Sequence, residues 1–173
     1  MEIRGLSLRN VGRFKDLSIL LAPTGKHTSN VTVLVGNNGA GKTTLLKSLA
    51  TALSWLVARI RTEKGNGNHI SEGDIQNSAT DAYISTVAAD YLLRSSDLSE
   101  VKSKRHLFGW GIARGRQGRK TALHSELVQA SQLADHYRTL LTTDDKASLP
   151  LIAYYPVERS VLEIPLKINP TPR

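Results

Sequence analysis

The sequence predicts an α/β fold in which a long helix packs on a mixed β-sheet that includes an antiparallel subdomain. Three features indicate this fold: a run of β-branched residues at 31–35, a glycine-rich turn directly after it, and apolar positions at helical spacing from residue 43 to about residue 61. The chain has 173 residues, 40% of them hydrophobic and 22% charged, which is enough for one domain with a buried core.

Composition excludes several classes of protein. The chain has no cysteine, so a disulfide framework, a thiolate nucleophile and a cysteine-ligated zinc site are all excluded. Its 23 Lys and Arg residues against 15 Asp and Glu residues give a net charge of +8, which mildly favours phosphates or nucleic acid as partners. The N-terminus lacks the apolar core of a secretory signal, and no apolar stretch is long enough to span a bilayer. We therefore expect a soluble cytoplasmic protein with no membrane partner.

The elements before the long helix follow from local patterns. Residues 2–21 alternate apolar and polar positions around a turn at residues 10–13, which predicts two half-buried strands. Residues 22–30 contain proline, glycine and small polar residues and are expected to form a loop. The β-branched run at 31–35 is typical of a buried strand. The long helix is expected to end before the glycine and asparagine cluster at residues 65–68.

The second half of the chain predicts further alternation of strand and helix. Residues 82–93 and 107–112 are predicted to be strands, and residues 115–118 a turn. Apolar positions at helical spacing predict a helix over residues 123–141. Residues 151–155, bounded by Pro150 and Pro156, predict a final strand, and the tail to residue 173 is expected to be irregular.

Residues 36–43 fit the pattern G-x-x-x-x-G-K-[S/T], the phosphate-binding P-loop. Glycines let the backbone approach an anion without a Cβ in the way, and the loop N–H groups converge on it together with the start of the following helix. The lysine reaches the β- and γ-phosphates, and the Thr43 hydroxyl fills one position on Mg²⁺. The predicted residues for ATP and Mg²⁺ are Gly36, Asn37, Asn38, Gly39, Ala40, Gly41, Lys42, Thr43 and, on the α-phosphate side, Thr44.

The context of the motif favours nucleotide binding over a glycine-rich turn that binds nothing. The motif lies between a β-branched run and an amphipathic helix, which is the arrangement that a P-loop requires. The N-K-x-D element with which small GTPases read guanine does not occur in the sequence. Two alternatives stay open: a small-molecule kinase, and a non-catalytic DNA-binding scaffold in which the P-loop is structural.

The opening of the chain resembles the N-terminal lobe of ABC-type ATPase heads of the SMC, RecF and OLD lineage, within the AAA-family ATPases. Residues 3–19 and 31–50 follow the order of that lineage: a strand, an N-x-x-x-F turn, a second strand and the P-loop. Asn10, Arg13 and Phe14 match the turn. The resemblance implies that Arg13 and Phe14 lie beside the bound nucleotide, and that the fold is an incomplete ABC/SMC-like head.

Three shorter segments resemble more narrowly the ATPases of bacterial antiphage defence, of the Septu and retron types. They are residues 74–75, 107–112 and 149–159. This resemblance implies an HNH-type nuclease as partner, and DNA, retron msDNA or a reverse transcriptase as further partners. The wider resemblance to ABC-type heads implies that ATP joins two heads in a homodimer. A DNA-maintenance ATPase of the SMC and RecF type is the alternative.

The sequence lacks the catalytic elements of this lineage. No apolar strand ends in the Asp-Glu pair of a Walker B motif, and residues 87–90, which come nearest, are followed by tyrosine. There is no Ser-Gly signature loop, no histidine in a switch context, and no glutamine for a Q-loop near residues 154–155. We therefore expect residues 1–173 to be the N-terminal portion of a head, without catalytic residues of its own. Alone it should bind ATP·Mg²⁺ weakly without hydrolysing it, whereas the complete protein would be an ATPase.

A basic region at about residues 101–120 carries most of the net charge. It contains seven cationic residues and no acidic one. Either this is a solvated hairpin face, or it contacts a nucleic-acid backbone. Phe108 and Trp110 would then stack on bases, although their apolar strand favours packing in the core. Arg159 is a further candidate for a phosphate or interdomain contact. The cations are Lys102, Lys104, Arg105, Arg114, Arg116, Arg119 and Lys120.

Overall fold

The structure, a computed structural model, describes residues 1–92, 104–119 and 123–156. Its elements are β1 (Glu2–Val11), β2 (Phe14–Leu20), α1 (Lys42–Arg61), a short 3₁₀ helix (Glu72–Asp74), β3 (Asp81–Leu92), β4 (Lys104–Gly115) and α2 (Val128–Thr143). The four strands form one sheet in the order β2-β1-β3-β4, and every neighbouring pair is antiparallel. This confirms the antiparallel subdomain predicted from the early strands and from residues 82–118.

Side chains alternate between the two faces of the sheet, and the apolar face packs against both helices. Leu8 of β1, Ile84 of β3 and Trp110 of β4 are buried on that face, in two apolar clusters shared with α1 and α2. The indole Nε1 of Trp110 donates to the backbone oxygen of Ala52 in α1 at 2.8 Å, so the single polar atom of this buried ring is satisfied. These contacts fix α1, and with it the P-loop at its start, on the sheet.

The chain turns back along α1 at the predicted breaker cluster. Nε1 of Trp55 donates to the backbone oxygen of Asn68 at 2.7 Å, and the N–H of Asn68 donates to Oγ of Ser54 at 2.7 Å. A Cβ on Gly67 would stand 2.5 Å from the backbone nitrogen of Trp55. Gly67 is therefore required by a close approach of two backbones, whereas the helix has already ended at Arg61.

The prediction of strands at residues 31–35 and 151–155 is wrong for the part of the chain that the structure describes. Neither segment belongs to a strand, and Val35 and Leu151 are 90% and 94% exposed. An apolar run of this kind is typical of a strand buried on both faces of a parallel sheet. Such a strand needs hydrogen-bonded neighbours, and the described residues supply none for these two segments. The sheet is consequently antiparallel throughout rather than mixed.

The second helix begins later than the predicted residue 123. Before it, Glu126 and Gly111 exchange two backbone hydrogen bonds, of 2.8 and 2.9 Å, and the N–H of Ala113 donates to Oγ of Ser125 at 2.9 Å. This pairing covers the outer edge of β4 and keeps the segment out of the helix, which starts at Val128. Edge pairing therefore outweighs the helical pattern there.

Neither described helix is long and apolar enough to cross a membrane. The expected irregular tail and Arg159 lie outside the described residues, and so does the connection between β3 and β4.

Candidate nucleotide-binding site

The loop at residues 36–44 has a left-handed backbone at two of its three motif glycines. Gly39 and Gly41 have φ angles of +78° and +95°, which residues with a side chain rarely adopt. A cavity of about 440 Å³ is lined by Arg13 and residues 38–44. A Cβ added to Gly39 would meet nothing within 4 Å. The loop therefore has room for an anion beside that glycine.

The start of α1 adds backbone donors to this cavity. Helix α1 begins at Lys42, and the N–H of Leu45 donates to the carbonyl of Gly41 at 3.0 Å. The N–H groups of Lys42, Thr43 and Thr44 consequently have no acceptor within the helix. No side chain among the described residues caps this end. These donors and the positive end of the helix dipole suit a phosphate group.

The side chain of Lys42 is anchored within the loop. Its Nζ donates to the backbone oxygens of Gly36 and Asn37, at 2.6 and 2.9 Å. Lys42 also lines the cavity, and its ammonium is held by the first two carbonyls of the motif.

The turn between β1 and β2 packs directly on the P-loop. The guanidinium Nη1 of Arg13 donates to the backbone oxygen of Gly39. The ring of Phe14 covers Gly41, because a Cβ on that glycine would stand 2.5 Å from Cζ of Phe14. Both predicted turn residues are thus brought to the glycines of the loop, although the two segments are far apart in sequence.

The turn has a left-handed backbone at two positions. Asn10 and Gly12 both have φ of 56°. A Cβ on Gly12 would lie 2.9 Å from Cγ2 of Thr44, so the turn touches the first turn of α1 as well. The N–H of Gly12 donates to the backbone oxygen of Asp74 at 2.6 Å, which connects the turn to a segment that the sequence did not assign to the site.

Asp74 is the residue of this region that sequence reasoning missed. Its carboxylate accepts from Nζ of Lys47 at 2.7 Å and from the hydroxyl of Ser71. Partial burial raises the pKa of Asp74, but the hydrogen bonds from Lys47 and Ser71 outweigh it and leave that pKa below its usual value. Lys47 lies one helical turn after Thr43, so the ion pair fixes residues 71–74 beside the P-loop helix. Residues 74–75 carry only a resemblance to related ATPases, and no local pattern marks Asp74 as a partner of Lys47.

The metal prediction rests on Thr43. Thr43 lines the cavity, and no group of three His, Cys, Asp or Glu side chains that could hold a metal ion occurs in residues 1–92, 104–119 and 123–156. A site with one hydroxyl suits Mg²⁺, which keeps waters and phosphate oxygens as its other ligands. The residues present therefore fit a metal that arrives with the nucleotide.

The cations of the basic region have different environments. Arg105 pairs with Glu2, and the guanidinium of Arg116 is bound to backbone carbonyls of residues 75–79. Arg114 and Arg119 are exposed and form no ion pair within the described ranges. Lys102, Lys120 and the side chain of Lys104 lie outside what the structure describes.

The two aromatic residues of the basic region belong to the core. Phe108 and Trp110 are 6% and 2% exposed, packed against both helices. The interpretation that they stack on nucleic-acid bases is wrong, and the expectation of core packing is confirmed.

Comparison with known proteins assigns the chain to a family. Residues 5–169 match the family described as the AAA domain. The chain is similar to the retron Vc95 probable ATPase of Vibrio cholerae serotype O1 biovar El Tor, with 29% identity over 162 residues, covering 93% of this chain and 29% of the relative. It is also similar to the retron Ec83 probable ATPase of Escherichia coli, with 30% identity over 131 residues, covering 76% of this chain and 22% of the relative. The chain spans less than a third of the length of these relatives. Because the family match covers nearly all of the sequence, P-loop included, the chain belongs to the AAA domain family.

Proposed function

We propose that the chain is the ATP-binding lobe of a retron-type ATPase of bacterial antiphage defence, and that it binds ATP together with Mg²⁺. The observation that carries this proposal is the contact of the turn with the P-loop, in which Arg13 donates to Gly39 and Phe14 covers Gly41. A purely structural glycine turn has no need of a cation at the rim of an open cavity. The family and the two retron relatives support the same function.

Each residue of the loop has a defined role in this proposal. The N–H groups of Lys42, Thr43 and Thr44 donate to phosphate oxygens, and the Lys42 ammonium neutralises charge on the β- and γ-phosphates. Arg13 adds a second positive charge at the rim, and the Phe14 ring shields the loop from water on one side. ATP·Mg²⁺ supplies the transferable phosphoryl group and the metal charge. This chain orients the triphosphate and holds one metal position through the Thr43 hydroxyl.

We further propose that residues 1–173 are the N-terminal portion of an ABC-type head like those of the SMC, RecF and OLD lineage. The apolar runs at 31–35 and 151–155 support this, because each has the composition of a central parallel strand and lacks paired strands among the described residues. Both runs are exposed except at Leu34 and Ile152, which pack partly buried against the core. The relatives are more than three times as long as the matched part. In this proposal the rest of the protein supplies the neighbouring strands, the Walker B pair and the signature loop, and ATP joins two heads in a homodimer.

The partners follow from the retron context. We propose that the complete protein works with an HNH-type nuclease, as in the Septu type, and acts on DNA or on retron msDNA with its reverse transcriptase. The retron names of both relatives support this context. A DNA-maintenance ATPase of the SMC and RecF type is the second candidate, since the P-loop lobe would have the same structure in either.

The binding proposal is tested by calorimetric titration and thermal unfolding with ATP·Mg²⁺. The wild-type chain should bind and gain thermal stability in proportion to ligand concentration, and Lys42→Ala should lose both effects. Lys26→Ala is the matched control, because it removes the same charge from an exposed loop residue outside the cavity. Equal stabilisation of wild type and Lys42→Ala would favour a structural P-loop.

Two further outcomes decide the class of ATPase. Hydrolysis that depends on Lys42 in this chain alone would show that a catalytic base had been missed. Transfer of labelled phosphate from ATP to a metabolite would favour the small-molecule kinase instead. Binding with neither reaction is the expected result.

A further inference from the structure

The guanidinium of Arg116 is bound to the backbone of a neighbouring segment. Its Nε donates to the carbonyl of Ala79 at 3.2 Å, and its Nη2 donates to the carbonyls of Ile75 and Gln76 at 3.2 and 3.1 Å. The backbone N–H of Arg116 also donates to the carbonyl of Thr80 at 2.8 Å. One side chain therefore holds the segment at residues 75–79 against the end of β4.

The turn between β1 and β2 binds the other side of the same segment. The N–H of Gly12 donates to the carbonyl of Asp74 at 2.6 Å, and the N–H of Gln76 donates to the carbonyl of Asn10 at 2.9 Å. An antiparallel bridge joins Val11 and residue 75 between these two bonds. Residues 74–76 thus form a short extension of the sheet, bonded to the turn on one edge and to Arg116 on the other.

The contacts continue from the turn to the P-loop. Arg13 and Phe14 directly follow the bonded residues 10–12, and they contact Gly39 and Gly41. A continuous series of hydrogen bonds and packing contacts therefore runs from the end of β4 to the cavity, and each step is a backbone or side-chain contact of the described residues.

We propose that Arg116 is a positioning residue for the nucleotide: by fixing residues 74–76 on the turn, it sets Arg13 and Phe14 on the P-loop. The inference rests on the proposed nucleotide-binding function. It adds Arg116 to the residues that support nucleotide binding, although Arg116 contacts neither the P-loop nor its cavity. Without Arg116, the carbonyls of Ile75 and Gln76 lose their partner and the segment loses its outer support.

The alternative is that Arg116 contacts a nucleic-acid phosphate together with Arg114. The hydrogen bonds argue against this. A phosphate would be bound by the Nε and Nη2 donors of the guanidinium together, and both of these already donate to backbone carbonyls. Arg114 is exposed and lies two residues earlier, near the end of β4, whereas Arg116 directly follows that strand. Arg114→Ala therefore removes the same charge at nearly the same place without touching the segment.

The test is the affinity of the 173-residue chain for ATP·Mg²⁺, measured by calorimetry for single and double variants. Arg116→Ala should weaken binding by about 5-fold to 10-fold, the equivalent of one or two lost hydrogen bonds, and Arg116→Lys should weaken it less. Arg114→Ala should leave the affinity within about 2-fold, as expected of a distant surface change. In Arg13→Ala/Arg116→Ala the combined loss should be clearly smaller than the product of the two single losses, because Arg116 acts through the turn.

Amide hydrogen exchange of the ligand-free chain gives a second readout. Arg116→Ala should speed exchange at the N–H groups of Gly12 and Gln76 while the core of α1 stays protected; if that variant does not fold, Arg116→Lys is compared instead. Wild-type affinity in Arg116→Ala, or losses that multiply fully in the double variant, would overturn the inference. If the wild type binds no ATP, the proposed function fails, and only amide exchange can then test whether Arg116 holds the turn in place. Unchanged exchange rates at Gly12 and Gln76 in Arg116→Ala would refute that structural link as well.

Discussion

The ring of Phe14 fills the space in which a side chain on Gly41 would stand. The nearest ring atom would lie 2.5 Å from a Cβ at that glycine, which is closer than two carbon atoms can approach without displacement. Gly41 also has φ of +95°. Two independent features therefore require glycine at position 41: its left-handed backbone, and the Phe14 ring of the neighbouring turn.

Gly41→Ala should therefore destabilise the chain more than Gly39→Ala does. Both changes force alanine into a left-handed backbone at about 1–2 kcal/mol, but only Gly41→Ala also displaces the Phe14 ring, which adds about 1–3 kcal/mol. Urea unfolding of the two variants measures the difference. In a Phe14→Ala background the excess cost of Gly41→Ala should fall sharply, since the Cδ of Arg13, 3.2 Å from the added Cβ, is then the remaining close atom. An undiminished cost would show that the ring does not lie on the glycine.

Acid should weaken the link between α1 and residues 71–74. Burial raises the pKa of Asp74, and the hydrogen bonds from Lys47 and Ser71 lower it by more, so the folded-state pKa is depressed. A depressed folded pKa means that the stabilisation is present above the unfolded value of about 3.9 and is lost as the pH falls through the folded value. Because Lys47 is half exposed, the contribution should be about 0.5–1 kcal/mol.

Asp74→Asn measures that contribution. The difference in unfolding free energy between wild type and Asp74→Asn should be largest near neutral pH. It should shrink as the pH falls from about 3.9, the unfolded value, towards the lower folded-state pKa at which the wild-type carboxylate takes up its proton. Asp145→Asn is the control, since Asp145 is exposed and forms no ion pair within the described residues. A difference that does not change with pH would mean that the carboxylate charge has no part in holding the segment.

The antiparallel half of the fold could be predicted because its signal is local. Apolar and polar side chains alternate along both β1 and β2, and residues 10–13 between these strands have the composition of a turn. Residues 31–35 and 151–155 carry an equally strong strand signal, yet they are not strands in the structure. A strand exists only when hydrogen-bonded to a neighbour, so its formation depends on chain segments far away in sequence that a local pattern does not report.

The candidate nucleotide-binding site shows the same difference between local sequence patterns and contacts made by distant segments. The P-loop is a contiguous octapeptide whose glycines, lysine and threonine report their own chemistry, so its residues could be named from the sequence. Arg13 and Phe14 could be named only through resemblance. The support from Asp74 and Arg116 could not be predicted, because an arginine within a basic region looks the same whether it faces solvent or binds three carbonyls.

The exposed run at residues 31–35 makes a stability prediction with a matched pair of valines. Val33 is 75% exposed and Val11 is 1% exposed. Val11→Ala removes two buried methyl groups and should cost about 2 kcal/mol, whereas Val33→Ala should stay within about 0.5 kcal/mol. Chemical unfolding of both variants gives the comparison. Equal costs would mean that residues 31–35 are buried as a strand after all, as the sequence pattern predicted.

The exposed arginines Arg114 and Arg119 predict salt-dependent binding of nucleic acid. Replacing both by alanine should reduce the affinity for duplex DNA and lower the slope of log affinity against log salt by about 2, because each phosphate contact contributes about 0.9.

Arg116 must be kept in this experiment, since its guanidinium supports residues 75–79 and its loss would disturb the fold. Lys26→Ala/Lys146→Ala is the control, because it removes two charges from exposed residues elsewhere. Binding measured by fluorescence anisotropy from low to moderate salt separates the outcomes. An equal loss in both double variants would indicate a response to net charge alone, and affinity that does not vary with salt would exclude phosphate contacts at this face.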